Sequence, residues 1–294
     1  MPAPAPLLAV DAPSLLYRAF FALPSSIRGT DDRPVNALLG CANLVLQAVE
    51  RFAPRAVVLC FGAEAAHYRT AAWPAYHGDR PEMPEELVPQ WADAPAFFGA
   101  FGWRSEHAGD LEADDLLGTL ARLESAAGGH AVLFTGDRDM FQCASAQVTV
   151  LYPGAKDGPT AMGPDEVRAK YGVDPEQVPD FIALRGDPSD GLPGAKGIGE
   201  KGAAEMLRAH GSLEALLALA QDGVAARAAG LKPRAIGALV DQADELRAFK
   251  DIATLRDVAV QRPVDAPSDW AAASTAAAER GMGRLADRLA ALSG

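Results

Sequence analysis

Eight carboxylates stand where a protein of alternating strands and helices would gather them. Asp11 directly follows the apolar run Leu7–Val10, and Asp137 and Asp139 follow the run His130–Thr135 in LFTGDRD. Ligands of an open α/β sheet bind outside the carboxyl ends of its strands, so these three acids are expected at one edge. Glu112, Asp114 and Asp115 occur in LEADDLLGTL, at the start of a helix whose dipole favours negative charge and which leads into that second Asp-bearing strand. Asp187 and Asp190 lie in GDPSDG, just before a glycine-rich turn. Two like charges ~5 Å apart repel by roughly 3 kcal/mol even at an effective dielectric of 20. Eight in one cleft therefore require protonation or divalent cations, and an all-oxygen donor set without Cys or His selects Mg²⁺ or Mn²⁺ over zinc. Taken singly, Asp11 and the 112–115 run also read as helix caps, and Asp137 and Asp187 as loop acids. That reading does not explain why acids recur along one edge.

A second chemistry is carried by GAKGIGEKGAAEML, where Gly197 and Gly199 precede a helical run and Lys196 and Lys201 flank them. Glycines let backbone amides approach phosphate oxygens, and the helix N-terminus adds its positive end. With the short helix DFIALRG before it, the turn reads as a helix-hairpin-helix gripping a nucleic-acid backbone. Such a grip is indifferent to base sequence.

The elements that must position these groups follow from periodicity. Strands are expected at Leu7–Val10, Ala56–Phe61, His130–Thr135 and Val148–Tyr152, and helices at Asn36–Phe52 and Leu116–Ala126, the rhythm of βαβ units around a mostly parallel sheet. Glu64–Glu86 fits neither template, with Pro74, Pro81 and Pro84 among Tyr68, Trp73 and Tyr76, and reads as a long excursion from the sheet. From Gly163 onward the pattern is helices separated by Gly and Pro. The expected units are thus 1–162 and 163–294, and TAAAERGMGRLADRLAALSG is expected to form a final packed helix.

Composition bounds the rest. The 294 residues are 49% hydrophobic and 22% charged, which fits a folded protein rather than a disordered one. Cys41, Cys60 and Cys143 are odd in number and far apart, so no disulfide framework or thiolate zinc site is expected and a reducing compartment is. MPAPAPLLAV has no basic region and too short an apolar run for a signal or membrane span, so the expectation is a cytoplasmic protein without a membrane partner. The net charge of −12 opposes nucleic-acid binding at long range, but setting the eight clustered acids aside leaves −4.

With VD and LLYRAFFAL (Asp11, Leu15–Leu23), LEADD, TGDRDMFQ and GDPSDGLPGAKGIGEKGA in this order, the chain resembles bacterial and phage 5′-3′ exonucleases and flap endonucleases, including the N-terminal nuclease domain of DNA polymerase I. The resemblance runs from Leu7 to about Leu217. It implies an α/β, PIN-like nuclease core with a mostly parallel sheet, followed by an all-helical helix-hairpin-helix domain that often binds K⁺ through backbone carbonyls. Glu64–Glu86 would form the arch that threads or clamps a 5′ single strand. The implied ligands of two Mg²⁺ or Mn²⁺ ions are Asp11, Glu112, Asp114, Asp115, Asp137, Asp139, Asp187 and Asp190, with Asp114, Asp137, Asp139 and Asp187 around the second ion. Arg69, His77 and Arg80 would steady the phosphate, and Tyr17, Arg18, Lys196, Gly197, Gly199 and Lys201 would contact DNA.

The chain also departs from the family pattern. Gly62 replaces an Asp in an F-D-A context, which implies a weakened first metal site for which Glu64 is a candidate substitute. His77 replaces the arch lysine, Gly191 a common Asn, and Ala12-Pro13 a small Gly-Ser pair. The implied activity is hydrolysis of DNA phosphodiesters at 5′ ends, flaps or nicks by a monomer in replication and repair. The alternatives are a catalytically weakened, structure-specific DNA-binding protein and an RNA-cleaving PIN-type enzyme.

Overall fold

The computed structural model describes residues 5–30, 32–154 and 158–293, so the first four residues of MPAPAPLLAV and the last of the C-terminal string lie outside the described residues. In the first half, β1 (Leu7–Asp11), α1 (Ala12–Ala22), α2 (Asn36–Phe52), β2 (Ala56–Phe61), α3 (His67–Ala72), α4 (Val88–Gly99), β3 (Arg104–His107), α5 (Ala113–Ala126), β4 (Ala131–Phe134), β5 (Val148–Tyr152) and β6 (Thr160–Met162) follow in order. The strands form one sheet, β3-β2-β1-β4-β5-β6, parallel throughout except for the antiparallel β5–β6 pair. Central strands such as LLAVD and AVVLCF are buried along their whole length, as expected of parallel strands covered on both faces.

Two strands escape the apolar-run rule. β3, RSEH, contains no aliphatic residue and is largely exposed, because it is an edge strand paired only with β2. β6 has three residues and closes the other edge. The expected excursion at 64–86 contains α3 and is anchored rather than free, since Arg69 and Tyr76 are 3% and 6% exposed.

The helices that follow are α6 (Pro164–Tyr171), α7 (Val178–Arg185), α8 (Glu200–His210), α9 (Leu213–Ala220), α10 (Gly223–Ala228), α11 (Pro233–Asp241), α12 (Ala243–Ala253), α13 (Trp270–Glu279) and α14 (Gly283–Leu292). Packing does not follow a division at residue 163. Apolar side chains of α7 to α12 share one continuous core with α5 and one face of the sheet, whereas Ala273, Ala277, Met282, Leu285 and Leu289 pack with α1, α2 and α4 on the opposite face. An extended strap, residues 254–269, makes this crossing. It is tied down by the Val258 amide to Thr119, the Trp103 indole to Ser268 and the Asp269 amide to the Phe101 carbonyl. The single final helix expected from the sequence is instead α13 and α14, broken where Gly281 adopts φ +77 and lies too close to Gly29 for a side chain. Among the described residues no helix is long and apolar enough to cross a membrane.

Candidate active site

β1 delivers Asp11 to the carboxyl edge of the sheet, where it also caps α1 by accepting the Ser14 amide at 3.0 Å. Thr135, the residue after β4, donates its hydroxyl to Asp11 Oδ2 at 2.6 Å and accepts the Asp137 amide at 2.9 Å. Asp137 Oδ1 in turn accepts the Asp139 amide at 2.9 Å. One hydrogen-bonded chain thus links Asp11, Thr135, Asp137 and Asp139 across the ends of two adjacent parallel strands. Thr135 and Ser14 were not singled out from the sequence. Ser14 had a signal, since Asp followed three residues later by a helical position is a capping pattern.

The acids of this edge raise one another's proton affinity. Burial lifts the Asp114 carboxyl well above its ordinary value, and Asp137, Asp11 and Glu112 add to the effect. Burial and then Asp190 push Asp137 up to about 7. Asp139 rises through burial, then Asp137, Asp190 and Asp187, and Asp11 rises through burial despite its hydrogen bonds from Thr135 and Ser14. Asp114 Oδ1 is buried with no hydrogen-bond partner. An unpaired buried carboxylate oxygen among three other acids is a site lacking positive charge. Among the described residues no three His, Cys, Asp or Glu side chains form a ready-made cage. The donor set nevertheless suits Mg²⁺ or Mn²⁺, since Mg²⁺ keeps several waters and is usually held by one or two carboxylates.

The expected ligands fall into three groups. Asp11, Asp114, Asp137 and Asp139 interact electrostatically at the strand ends. Asp187 and Asp190 extend this field but are already engaged. Asp187 accepts Arg185 Nη2 at 3.0 Å and the Ser189 amide at 2.9 Å. Asp190 Oδ1 meets His77 Nε2 at 3.1 Å and accepts Arg80 Nη2 at 3.2 Å. Glu112 and Asp115 form the capping box of α5, and both are held by Arg69.

Asp115 departs most from the expected role. It is fully buried, its two oxygens accept Arg69 Nη2 and Nη1 at 3.0 and 2.9 Å, and it also accepts the Glu112 and Arg256 amides. These bonds fill its acceptor sites, so Asp115 positions the start of α5 instead of facing a cation. Arg69 likewise departs from the phosphate-contacting role. Its Nη1 lies 3.0 Å from Glu112 Oε1 and its Nε donates to the Ile252 carbonyl at 2.9 Å, and at 3% exposure it is out of reach of a substrate. Burial alone would weaken its hold on the proton, but Glu112 and Asp115 overcome this and keep the guanidinium charged.

The arch residues close on the same carboxylates. Tyr76 donates its hydroxyl to Glu112 Oε2 at 3.0 Å, and the Trp73 indole donates to the Gly191 carbonyl. His77 stacks on Tyr76 with centroids 3.8 Å apart and adopts the left-handed φ of +56. Its Nδ1 lies 2.9 Å from the Glu64 carbonyl. Arg80 is the exposed cation of the group. Gly191 has φ +70, and a Cβ there would meet the Ala75 carbonyl at 2.5 Å, which explains glycine at that position.

Gly62 has an equally local cause. A Cβ would lie 2.5 Å from the Ala113 nitrogen and 2.6 Å from the Leu111 carbonyl oxygen, so β2 and the start of α5 approach too closely for any side chain. Glu64 is exposed. Gly62→Asp is therefore expected to lower stability by about 1–3 kcal/mol through overpacking without increasing catalysis, as thermal melts and a cleavage assay would check. A variant of unchanged melting temperature would contradict this.

The DNA-binding candidates fall into two places. Tyr17 is half-buried on α1, and Arg18 is exposed and donates to the Gly154 carbonyl at 2.9 Å. In the hairpin, Lys196, Gly197 and Gly199 are exposed around buried Ile198, Gly199 caps α8, and the Lys201 side chain is 90% exposed. Gly197 has φ +82, and a Cβ would strike Arg234 Nε at 2.5 Å. The Lys196 amide is taken by Gln242 Oε1 at 2.8 Å, so one hairpin amide is not free for phosphate.

Residues 6–172 match the family described as 5′-3′ exonuclease, N-terminal resolvase-like domain, and residues 173–274 match 5′-3′ exonuclease, C-terminal SAM fold. A 5′-3′ exonuclease of Mycobacterium tuberculosis is 35% identical, covering 88% of this chain and 87% of its own length. The thermostable DNA polymerase I of Thermus filiformis is 42% identical over 73% of this chain, and DNA polymerase I of Mycobacterium bovis 38% identical over 72%. The chain spans about a quarter of those polymerases, 25% and 24% respectively. Among solved structures, T5 5′-exonuclease with bound zinc superposes with a TM-score of 0.69 at 16% identity, covering 98% of this chain and 99% of its own. The catalytic core of Rad2 with a DNA substrate gives 0.63 at 15%, covering 98% and 92%.

Proposed function

The chain belongs to the 5′-3′ exonuclease family, and from that premise we propose that this nuclease hydrolyses DNA phosphodiesters at or near 5′ ends, both exonucleolytically and at flaps, with Mg²⁺ or Mn²⁺ as cofactor. The observation that carries this reading is the crowd of buried and half-buried acids at the strand ends and the start of α5, above all the unpartnered, buried Asp114 Oδ1 near Asp11 and Asp137. Solved neighbours named for bound divalent metal and for DNA substrate support the same reading. The proposal places the enzyme in replication and repair, as a cytoplasmic monomer, with K⁺ at the hairpin.

Asp11, Asp114, Asp137 and Asp139 would hold the divalent ions, which when bound would lower the pKa of a water and offset the negative charge of the reacting phosphate. The chain's own residues do the rest. Thr135 and the Ser14 amide hold Asp11 in one orientation, and the Asp139 amide holds Asp137. Arg69 fixes Glu112 and the start of α5. Arg80, exposed beside Asp190, keeps N–H groups free to meet a phosphate, whereas both ring nitrogens of His77 are taken by the Glu64 carbonyl and Asp190, so His77 steadies Asp190 rather than the phosphate. The hairpin glycines and Lys201 grip the duplex backbone without reading bases. The alternative of a catalytically weakened binding protein finds no support among the relatives named above. Gly62, one of its two motives, is explained by backbone contact.

The test is cleavage of a 5′-labelled flap and a nicked duplex by the full chain with Mn²⁺ or Mg²⁺, against the same DNA with chelator and against RNA flaps. Metal-dependent release of short 5′ products from DNA is expected. No product from any 5′-ended DNA with either ion would overturn the proposal.

A pH signature follows from Asp137. Its carboxyl titrates near 7 in the folded chain and near 3.8 when unfolded, so folding penalises its ionised form. The penalty is absent below the unfolded value of 3.8, grows as pH rises from there toward about 7 and is full above it. Divalent cations bind the ionised form, so saturating Mn²⁺ is expected to raise the melting temperature more at pH 8 than at pH 5. An equal or larger rise at pH 5 would be the contrary result.

A further inference from the structure

Four aromatic rings run in a row from the protein surface into a groove that the catalytic reading leaves unused. Phe21, 71% exposed, lies 6.5 Å from Tyr17, Tyr17 lies 5.9 Å from Trp91, and Trp91 lies 6.0 Å from Phe61. At the inner end is a cavity of about 330 Å³ beside α4 and β3, lined by Phe61, Trp91 and Pro95 together with Ser105, Glu106 and His107. This is close to the lower limit of small-ligand pockets, ~300 Å³.

Its position and charge narrow the occupant. Phe61 ends β2, the strand beside β1 and Asp11, and β3 is the next strand out. With neighbouring strands ~4.8 Å apart, the groove continues the edge that carries the acids. Its one formal charge is the carboxylate of Glu106, itself bonded to Arg104, and no Lys or Arg lines it. A phosphate would be repelled there. A neutral planar ring would stack on the indole and find polar groups in the same lining, where His107 Nδ1 accepts the Gly109 amide and so leaves Nε2 with its hydrogen to donate.

We propose that this groove is a subsite for one unpaired nucleobase of the 5′ single strand, stacked on Trp91, with Phe21 and Tyr17 as the aromatic path leading to it. The proposal rests on the nuclease reading above and adds where the single strand's base goes. Base-on-aromatic stacking tolerates every base, so the subsite would favour single strand over duplex without favouring a sequence.

The experiment measures equilibrium binding by the full chain, without added divalent ion, to a nicked duplex, a 5′-flapped duplex, and flaps in which each of the first few nucleotides in turn is abasic. The abasic flaps keep every phosphate and remove one base. Wild type is expected to lose about tenfold in affinity at one abasic position. Trp91→Leu, and separately Ser105→Glu at an exposed position on β3, are expected to bind intact and abasic flaps alike, while Trp91→Phe keeps most of the discrimination. If Trp91→Leu does not fold, Ser105→Glu alone decides. The proposal is overturned if wild type binds intact and abasic flaps equally, or if Ser105→Glu still discriminates them. Cleavage of the intact flap by wild type with Mn²⁺, measured alongside, shows separately whether the nuclease reading stands.

Discussion

Arg69→Ala is expected to destabilise the protein by roughly 3–5 kcal/mol, the range found when one partner of a buried ion pair is removed. The guanidinium is 3% exposed and serves three acceptors at once, the carboxylates of Glu112 and Asp115 and the Ile252 carbonyl. Its removal leaves two buried anions facing each other at the start of α5, with a last-turn carbonyl of α12 unpaired. The melting temperature should fall by about 10 °C, at the few degrees per kcal/mol usual for a chain of this size. Arg69→Lys should rescue little, because an ammonium cannot bridge two carboxylates in a planar fork. Urea unfolding checks this, and a loss below about 1 kcal/mol would show that the node is not a structural centre.

Asp114→Asn should separate stability from activity. In metal-free protein the wild-type carboxylate is half-buried, with Oδ1 enclosed and unpartnered, and is repelled by Asp137, Asp11 and Glu112. Replacing it by a neutral isostere removes that repulsion, and a gain of roughly 1–3 kcal/mol is expected at pH 8 from the size of such pair energies. Cleavage should fall by more than about a hundredfold, the upper loss seen when even an outer partner of a metal ligand is removed. Stabilisation with loss of function is the mark of a site held in a strained state for its chemistry. A variant that is both less stable and fully active would assign Asp114 an ordinary structural role.

How far the site could be read from the sequence depended on which physical signal each residue left. Asn36–Phe52 carried an unbroken helical period, and α2 has those bounds. Asp11 and Asp137 stood directly after apolar runs, so their meeting at one sheet edge followed from topology. Asp115 was legible in a different sense. Glu112 and Asp115 are spaced as a capping box, which turns an acid toward its own helix start, a direction that the number of acids in LEADD does not reveal. Arg69 could not be read at all, since its burial depends on α3 folding under residues 252–256, nearly two hundred positions away. Gly62 looked like a lost ligand and is a contact between β2 and the start of α5. β3 stayed hidden because an edge strand of Arg, Ser, Glu and His needs no apolar pattern.

The fold forces Asp11, Asp114, Asp137 and Asp139 together, and divalent ions would make that crowding tolerable. Titrating the metal-free protein with Mn²⁺ and counting bound ions by electron paramagnetic resonance tests it most directly. Saturable binding is expected in wild type, weakened in Asp114→Asn and in Asp137→Asn but retained in Asp115→Asn where that variant folds. The absence of saturable Mn²⁺ binding, or binding indifferent to Asp114 and Asp137, would contradict it.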